Sequence, residues 1–239
     1  MNRRALLTLA ICSALAWNGG PDRMAQLPRT MLWAWERPQD LRAIDPQTTG
    51  VAYLALTLRL DGERITRVPR QQPLRVPAGT RLVAVARIEG AAPSLSSIDE
   101  LTRHLSALAR PGALAIQLDY DAPRSARPFY RALITRLRRA LPDSVGLSMT
   151  ALASWCVNDP WLKDLPVDEI VPMAFRMGAD DQVVRRSLEA RGDFACTECR
   201  GAIGLVTDEP APRLVGARRV YWFQPGSWTP AALAAARQP

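Results

Sequence analysis

The sequence predicts an α/β barrel, a small (β/α)8 fold in which eight parallel strands alternate with helices. Eight short apolar segments have the character of strands, and helical patterns lie between most of them. In the strand predicted at residues 113–121, one face is Leu, Ile, Leu and Tyr, and the other runs from alanine through glutamine to aspartate. Small residues below polar ones suit the inside of a barrel that opens at its end. A doubly wound open sheet is the alternative with the same alternation.

The predicted strands are bounded by turn-forming residues and are rich in β-branched, aliphatic and aromatic side chains. They are residues 31–36, 51–58, 81–89, 113–121, 145–152, 170–177, 202–208 and 220–224. Between the second and third strands, Asp61-Gly62 is typical of a hairpin turn, and the chain up to Pro77 has no helical stripe. We therefore expect a β-hairpin or extended excursion in place of a helix there.

The helices are predicted from apolar spacing and from their first residues. Ser97-Ile-Asp-Glu100 has the pattern of a capping box at the start of one helix. Thr229-Pro230, with threonine as the cap and proline in the first turn, begins the last helix. Two more helices are predicted at residues 125–141 and 180–191, and shorter helical turns at residues 38–44 and 160–165.

The N-terminus has the features of a secretory signal. Arg3 and Arg4 precede an apolar run that ends in Ala14-Leu-Ala16, and this run is too short to cross a bilayer. We expect a signal peptide at residues 1–16, a linker at 17–30 and one barrel domain at 31–239. The expected location is periplasmic or secreted, with no membrane span.

The net charge is +8, and Lys163 is the one lysine among 31 basic residues. The arginines are scattered and are not interleaved with aromatic residues, so a specific nucleic-acid surface is not predicted. Such a bias is typical of genome composition, although non-specific attraction to polyanions is consistent with it. We expect a monomer.

Candidate site residues gather where the predicted strands end, which is where barrels of this type form their sites. The expected catalytic carboxyls are Asp121, Asp119, Glu89 and Glu36, and the expected substrate-binding residues are Trp35, Arg87, Trp155, Arg176, Trp222 and Gln224. Carboxylates beside indole rings suit a sugar, whose C–H faces stack on aromatic rings. The predicted partner is therefore a polysaccharide or oligosaccharide.

Cleavage of a glycosidic bond needs two carboxyl groups. Asp119 and Asp121 lie on one strand face, with Cα atoms about 6.6 Å apart. We expect Asp121, at the mouth, to act on the bond and the deeper Asp119 to support it, with Glu89 or Glu36 as the second carboxyl. The alternative is a luminal network in which these carboxylates and arginines neutralise one another. Trp33 and Trp161 are expected to pack inward.

The sequence lacks the residues that other catalytic chemistries require. The one histidine, His104, lies beside the apolar stripe of a helix, so no Ser-His-Asp arrangement or histidine-rich metal site is predicted. No glycine-rich phosphate loop is present, and neither a metal nor a cofactor is expected. Cys196 and Cys199 are spaced for half a zinc site or for a local disulfide, and an oxidising compartment favours the disulfide, with Cys156 free.

Four segments resemble an uncharacterised bacterial family, domain of unknown function 3142. They are residues 33–41 (WAWERPQDL), 117–121 (QLDYD), 148–156 (SMTALASWC) and 171–178 (VPMAFRMG). This resemblance brings no established activity.

A more distant similarity is to chitinase-like glycoside hydrolases, whose fourth strand ends in Asp-x-Asp-x-Glu with the glutamate as acid. Asp119 and Asp121 match the two aspartates, and Met173-Ala-Phe-Arg176 is similar to a later Met-x-Tyr-Asp motif. Pro123 stands in the place of the glutamate, and Arg176 in that of the last aspartate. The similarity implies a glycan-acting barrel, and the departures argue against substrate-assisted chitinase chemistry. A glycan-binding barrel without catalysis and a structural or interaction protein are the alternatives.

Overall fold

The computed structural model describes residues 22–91 and 94–236, so the expected signal peptide lies outside the described residues. The strands are β1 (Thr30–Ala34), β2 (Gln39–Asp40), β3 (Thr49–Asp61), β4 (Arg64–Pro69), β5 (Leu74–Arg75), β6 (Leu82–Gly90), β7 (Ala113–Asp119), β8 (Gly146–Leu152), β9 (Glu169–Met173), β10 (Ala202–Val206) and β11 (Arg219–Phe223). The helices are α1 (Ile98–Ser106), α2 (Arg127–Ala140), α3 (Trp155–Asn158), α4 (Asp181–Arg191) and α5 (Pro230–Ala235).

Eight of these strands form a closed parallel barrel in the order β1-β3-β6-β7-β8-β9-β10-β11. Closure is shown by β1, which pairs in parallel with β3 on one side and with β11 on the other. Leu32, for example, lies opposite both Val51 and Trp222. The predicted barrel is therefore confirmed, and the open doubly wound sheet is wrong.

The excursion after the second barrel strand is a β-hairpin, as predicted. β4 runs antiparallel to β3, from Leu56 opposite Pro69 to Asp61 opposite Arg64. Gly62 has a φ of 57°, the left-handed conformation that a tight hairpin turn requires. This hairpin occupies the place of a barrel helix.

Two expected helical features are wrong. Residues 38–44 do not begin a helical turn, because β2 leaves the first barrel strand and pairs in parallel with β5. Ser97 does not cap α1, since its own backbone is helical and a 3-10 turn precedes it. Its hydroxyl instead donates a hydrogen bond to Glu63 in the hairpin, at 2.8 Å.

The core has an outer layer between the strands and the helices and an inner layer that fills the barrel. Strand alternation divides the layers as predicted, since Ile116 and Leu118 lie in the outer layer and Ala115 in the inner one. Met24 and Leu27 are buried in the inner layer. Residues 22–29, part of the expected linker, therefore close the bottom of the barrel.

The disulfide joins Cys156 to Cys199, with their Cα atoms 6.0 Å apart, and Cys196 is a free thiol. The expected Cys196–Cys199 pairing is wrong. Cys199 is fully buried, where it meets Cys156 of α3, whereas the thiol of Cys196 is partly exposed and donates to Glu198 at 3.2 Å. Local spacing did not reveal a partner 43 residues away.

None of the helices that the structure describes is long and apolar enough to cross a membrane.

Candidate functional site

A ladder of polar side chains leads up the barrel along β7. Gln117 is fully buried, accepts a hydrogen bond from the indole N–H of Trp33 at 2.8 Å and donates one to Ser148 at 3.1 Å. One step higher on the same face, Asp119 accepts a hydrogen bond from the Thr150 hydroxyl at 2.8 Å. The buried amide therefore fixes Trp33, and the ladder ends in a carboxylate at the open end of the barrel.

A cavity of about 160 Å³ lies at this end, and one of its walls is aromatic. The ring of Phe223 stacks on that of Phe175 at 5.7 Å between centroids, and Trp35 meets Phe223 edge-on at 6.2 Å. Trp33 continues the wall from Phe175, also at 6.2 Å. Gly204 makes room for this indole, because a Cβ atom there would lie 2.7 Å from its ring.

Apart from Met173, the other lining residues of the cavity are polar or charged. They include Arg87, Asp119, Asp121 and Thr150. Burial, helped by the charge of Asp121, raises the pKa of Asp119 to about 6, against the opposing effects of the hydrogen bond from Thr150 and the charge of Arg87. Burial also raises the pKa of the more exposed Asp121, and Arg87 opposes that shift. The site therefore holds two carboxyls with an increased tendency to bind a proton.

Asp121 stands where this cavity meets two others. One, of about 240 Å³, is lined by Phe175, Arg176 and Asp180 among others. The other, of about 610 Å³, includes Arg124, Arg127, Trp155, Asp159 and Asp180. Asp121 borders all three cavities, and Asp180 borders the two outer ones. The three together form a cleft across the mouth of the barrel.

Asp180 is a site residue that sequence reasoning missed. The sequence predicts the start of a helix at this residue, and the structure places it in the 3-10 turn that leads into α4. Its position shortly after the end of β9 was the available signal, because the loops that follow barrel strands surround the site.

The two expected second carboxyls do not line the central cavity. Glu89 forms ion pairs with Arg87 at 3.0 Å and Arg59 at 3.3 Å. Glu36 accepts hydrogen bonds from the backbone N–H groups of Gln71 at 3.1 Å and Gln72 at 3.2 Å. Both carboxylates are therefore engaged by the protein itself.

Four of the expected binding residues border the cleft. Trp35 and Arg87 line the central cavity, Arg176 lines the smaller outer one, and Trp155 lines the larger one. Trp155 is nearly buried and packs edge-on against Trp161, with 5.0 Å between ring centroids. The guanidinium of Arg127 lies over the ring of Trp155, 5.7 Å from the centroid, and so covers one face.

The remaining two expected binding residues, Trp222 and Gln224, do not border the cleft. Trp222 lies in the outer core layer, because alternation along β11 turns Tyr221 inward and Trp222 toward the helices. Its expected role in substrate binding is therefore wrong. Gln224 accepts a hydrogen bond from the hydroxyl of Thr207 and does not line the described cavities.

The charges at the mouth do not form one neutralised network. Arg87 pairs with Glu89, and Arg176 pairs with Asp208 at 2.8 Å. Within the described residues, neither Asp119 nor Asp121 forms an ion pair. In the same part of the chain, no group of three or more His, Cys, Asp or Glu side chains is arranged to hold a metal ion.

No protein-family model matches the chain, and no curated protein matches it. The resemblance to domain of unknown function 3142 therefore stays a prediction. Among solved structures, the chain is similar to the spore cortex-lytic enzyme SleL of Bacillus cereus, with a TM-score of 0.49 and 16% sequence identity. The match covers 74% of this chain and 51% of SleL, so the chain spans about half the length of that protein.

Proposed function

We propose that this protein is a glycan-acting barrel of glycoside-hydrolase type. The observation that carries the proposal is the central cavity, in which an aromatic wall faces two carboxyls of raised pKa. Sugar rings stack on aromatic side chains through their C–H faces, and their hydroxyls bond to carboxylates. The cavity volume of about 160 Å³ lies below the range of about 300–1,000 Å³ for drug-sized ligands. It suits one sugar residue, with its neighbours in the outer cavities.

Asp121 is the carboxyl best placed to act on a glycosidic bond. A glycan chain with one sugar residue in the central cavity extends past Asp121 into the outer cavities, because this residue borders all three. Asp119, one step deeper, holds a proton more readily while Asp121 is charged. Asp180, which borders both outer cavities together with Asp121, is the candidate second carboxyl in place of Glu89 and Glu36.

Hydrolysis of a panel of polysaccharides, followed by reducing-end release, tests the proposal. We expect Asp121→Asn to lower the rate about 10²- to 10⁴-fold, as removal of an acid–base group does. Asp143→Asn serves as the matched control, because the Asp143 side chain is fully exposed. Equal rates for wild type and Asp121→Asn would refute the catalytic role.

Glycan binding without cleavage is the second candidate function, and one residue favours it. Pro123 begins the loop after Asp121 and has no group that can donate a proton, where chitinase-like enzymes have their acid. This function predicts that oligosaccharides bind and are recovered intact after long incubation with the wild type. Trp35→Ala weakens binding under either function, so product formation alone separates them.

We infer that the protein acts outside the cytoplasm. The Cys156–Cys199 disulfide supports this inference, since such bonds persist in oxidising compartments. The arginine pair and apolar run before Ala16 support it independently. Cell fractionation with N-terminal sequencing of the mature chain tests it. A cytoplasmic protein that retains its first residues would exclude export.

A further inference from the structure

The first barrel strand ends just before a wall residue of the cavity. β1 stops at Ala34, so the backbone of Trp35 has left the sheet although its indole lines the cavity. The carbonyls of Ala34 and Trp35 point to a single guanidinium, that of Arg70. Its Nη1 donates to these carbonyls at 3.1 and 2.8 Å.

Arg70 also donates hydrogen bonds to two backbone carbonyls beyond those of Ala34 and Trp35. Its Nη2 donates to the carbonyl of Arg37 at 2.8 Å, and Nη1 reaches that of Leu54 at 3.4 Å. Leu54 adjoins the bulge at which the register between β3 and β6 shifts. The Arg70 backbone N–H donates to the carbonyl of Ala55 within that bulge at 3.0 Å. One half-buried side chain thus connects the end of β1 to the irregular part of β3.

The residues after Arg70 hold the same segment. The backbone N–H groups of Gln71 and Gln72 donate to the carboxylate of Glu36. Residues 70–72 therefore form a strap across residues 34–37. They follow directly on β4, so the hairpin that replaces a barrel helix delivers the strap to the mouth of the barrel.

We propose that Arg70 is a positioning residue that fixes Trp35 in the aromatic wall of the cavity. The guanidinium is suited to this role because its five donors lie in a rigid plane and serve several carbonyls at once. A lysine retains the charge, but its ammonium cannot reproduce the fork. Trp35 would then lose its fixed backbone while the barrel remains folded. The expected loss of glycan affinity rests on the proposed function, whereas the expected displacement of Trp35 does not.

The first test follows Trp35 itself, by ¹⁹F NMR of protein labelled with 5-fluorotryptophan. Trp35→Phe assigns the resonance. We expect Arg70→Lys to shift and broaden the Trp35 resonance and to leave that of Trp155, on another part of the rim, in place. Arg67→Ala on the exposed side of β4 is the control and should move neither. An unchanged Trp35 resonance in Arg70→Lys would overturn the proposal.

The second test measures oligosaccharide affinity by calorimetry. A displacement of about 1 Å at an active site can lower the catalytic rate about 100-fold. For the smaller displacement expected in Arg70→Lys, we expect oligosaccharide affinity to fall about tenfold. The melting temperature should stay close to that of Arg67→Ala. In a Trp35→Ala background, Arg70→Lys should have no further effect, since both changes remove the same contact. Additive losses would overturn the proposal. If the wild type binds no glycan, the proposed function fails, and the NMR result alone decides the role of Arg70.

Discussion

The hydroxyl of Thr150 donates a 2.8 Å hydrogen bond to the carboxylate of Asp119 across the neighbouring strands β7 and β8. The register of these strands, in which Leu118 lies opposite Met149, brings the two side chains together on the luminal face. Thr150 is 2% exposed, so its hydroxyl is held in place by the barrel. The bond favours the charged carboxylate, and burial favours the protonated form by more. The state of Asp119 near neutral pH depends on this balance.

Replacing Thr150 by valine should raise the pKa of Asp119 above its value of about 6. The change removes the donor that stabilises the carboxylate while nearly conserving volume, and we expect a shift on the order of one unit. Thr150→Ser keeps the hydroxyl and should leave the pKa near that of the wild type. Carboxyl ¹³C NMR titration, assigned with Asp119→Asn, measures all three. A pKa that stays constant in Thr150→Val would show that the bond does not control the proton.

The raised pKa of Asp119 should make the protein less stable as pH rises from about 4 to about 7. The folded state holds this proton up to about pH 6, whereas the unfolded chain releases it near 3.8, so folding takes up a proton between these values. The stabilisation from Asp119 is complete below pH 3.8 and is lost as pH passes 6. Its size is on the order of 3 kcal/mol at most.

Asp119→Asn isolates this contribution, because asparagine does not titrate and can still accept the Thr150 bond. Relative to wild type, we expect the variant to gain free energy of unfolding steadily between pH 4 and 7. Urea denaturation at several pH values measures the difference. Asp143→Asn, at a fully exposed side chain, should show no such trend. A difference between Asp119→Asn and wild type that is constant with pH would contradict the raised pKa.

Loss of the Cys156–Cys199 disulfide should destabilise the protein substantially. The bond closes a loop of 43 residues, for which the chain-entropy model gives about 4 kcal/mol. We expect both Cys156→Ser and Cys199→Ser to lower the free energy of unfolding by about 2–4 kcal/mol. Cys196→Ser, at the free thiol, should change it by less than about 0.5 kcal/mol. Peptide mapping under non-reducing conditions gives the pairing directly, and a Cys196–Cys199 peptide would contradict the structure.

Much of the barrel could be predicted from local patterns. Strand alternation placed Asp119 and Gln117 on the luminal face, and Asp61-Gly62 revealed the hairpin, because both depend on near neighbours in sequence. Trp222 could not be placed from its own strand, because alternation does not say which face is inward. The register with β1 decides it, since Tyr221 lies opposite Met31 of the inner layer and Trp222 opposite Leu32 of the outer one.

The partners of site residues could not be predicted, because they come from distant parts of the chain. Glu36 looks like a free carboxylate in the sequence, and the strap that engages it lies 35 residues further on. Cys199 has a nearby cysteine and a distant one, and the packing of α3 selects the distant one. Asp180 enters the cleft through the path of a loop that no periodic pattern describes.

The bottom of the barrel depends on a buried ion pair between Arg219 and Glu169. Glu169 also accepts a hydrogen bond from the Tyr221 hydroxyl at 2.7 Å, and its side chain is 5% exposed. Arg219 donates further bonds to the carbonyls of Met24 at 2.9 Å and Pro28 at 3.0 Å. The arginine thus joins the luminal carboxylate to the segment that closes the barrel.

Arg219→Met should lower the free energy of unfolding by about 3–5 kcal/mol, because it leaves a buried carboxylate without its counter-charge. Adding Glu169→Gln removes that charge, so the double variant should recover part of the loss. Arg29→Met, at an exposed arginine on the same end of the barrel, is the control and should stay within about 0.5 kcal/mol of wild type. Denaturant titration of wild type, Arg219→Met, Glu169→Gln and the double variant provides the cycle, with Arg29→Met measured beside them. A double variant no more stable than Arg219→Met would mean that the bonds of Arg219 to the N-terminal segment, and not its charge, hold the bottom of the barrel closed.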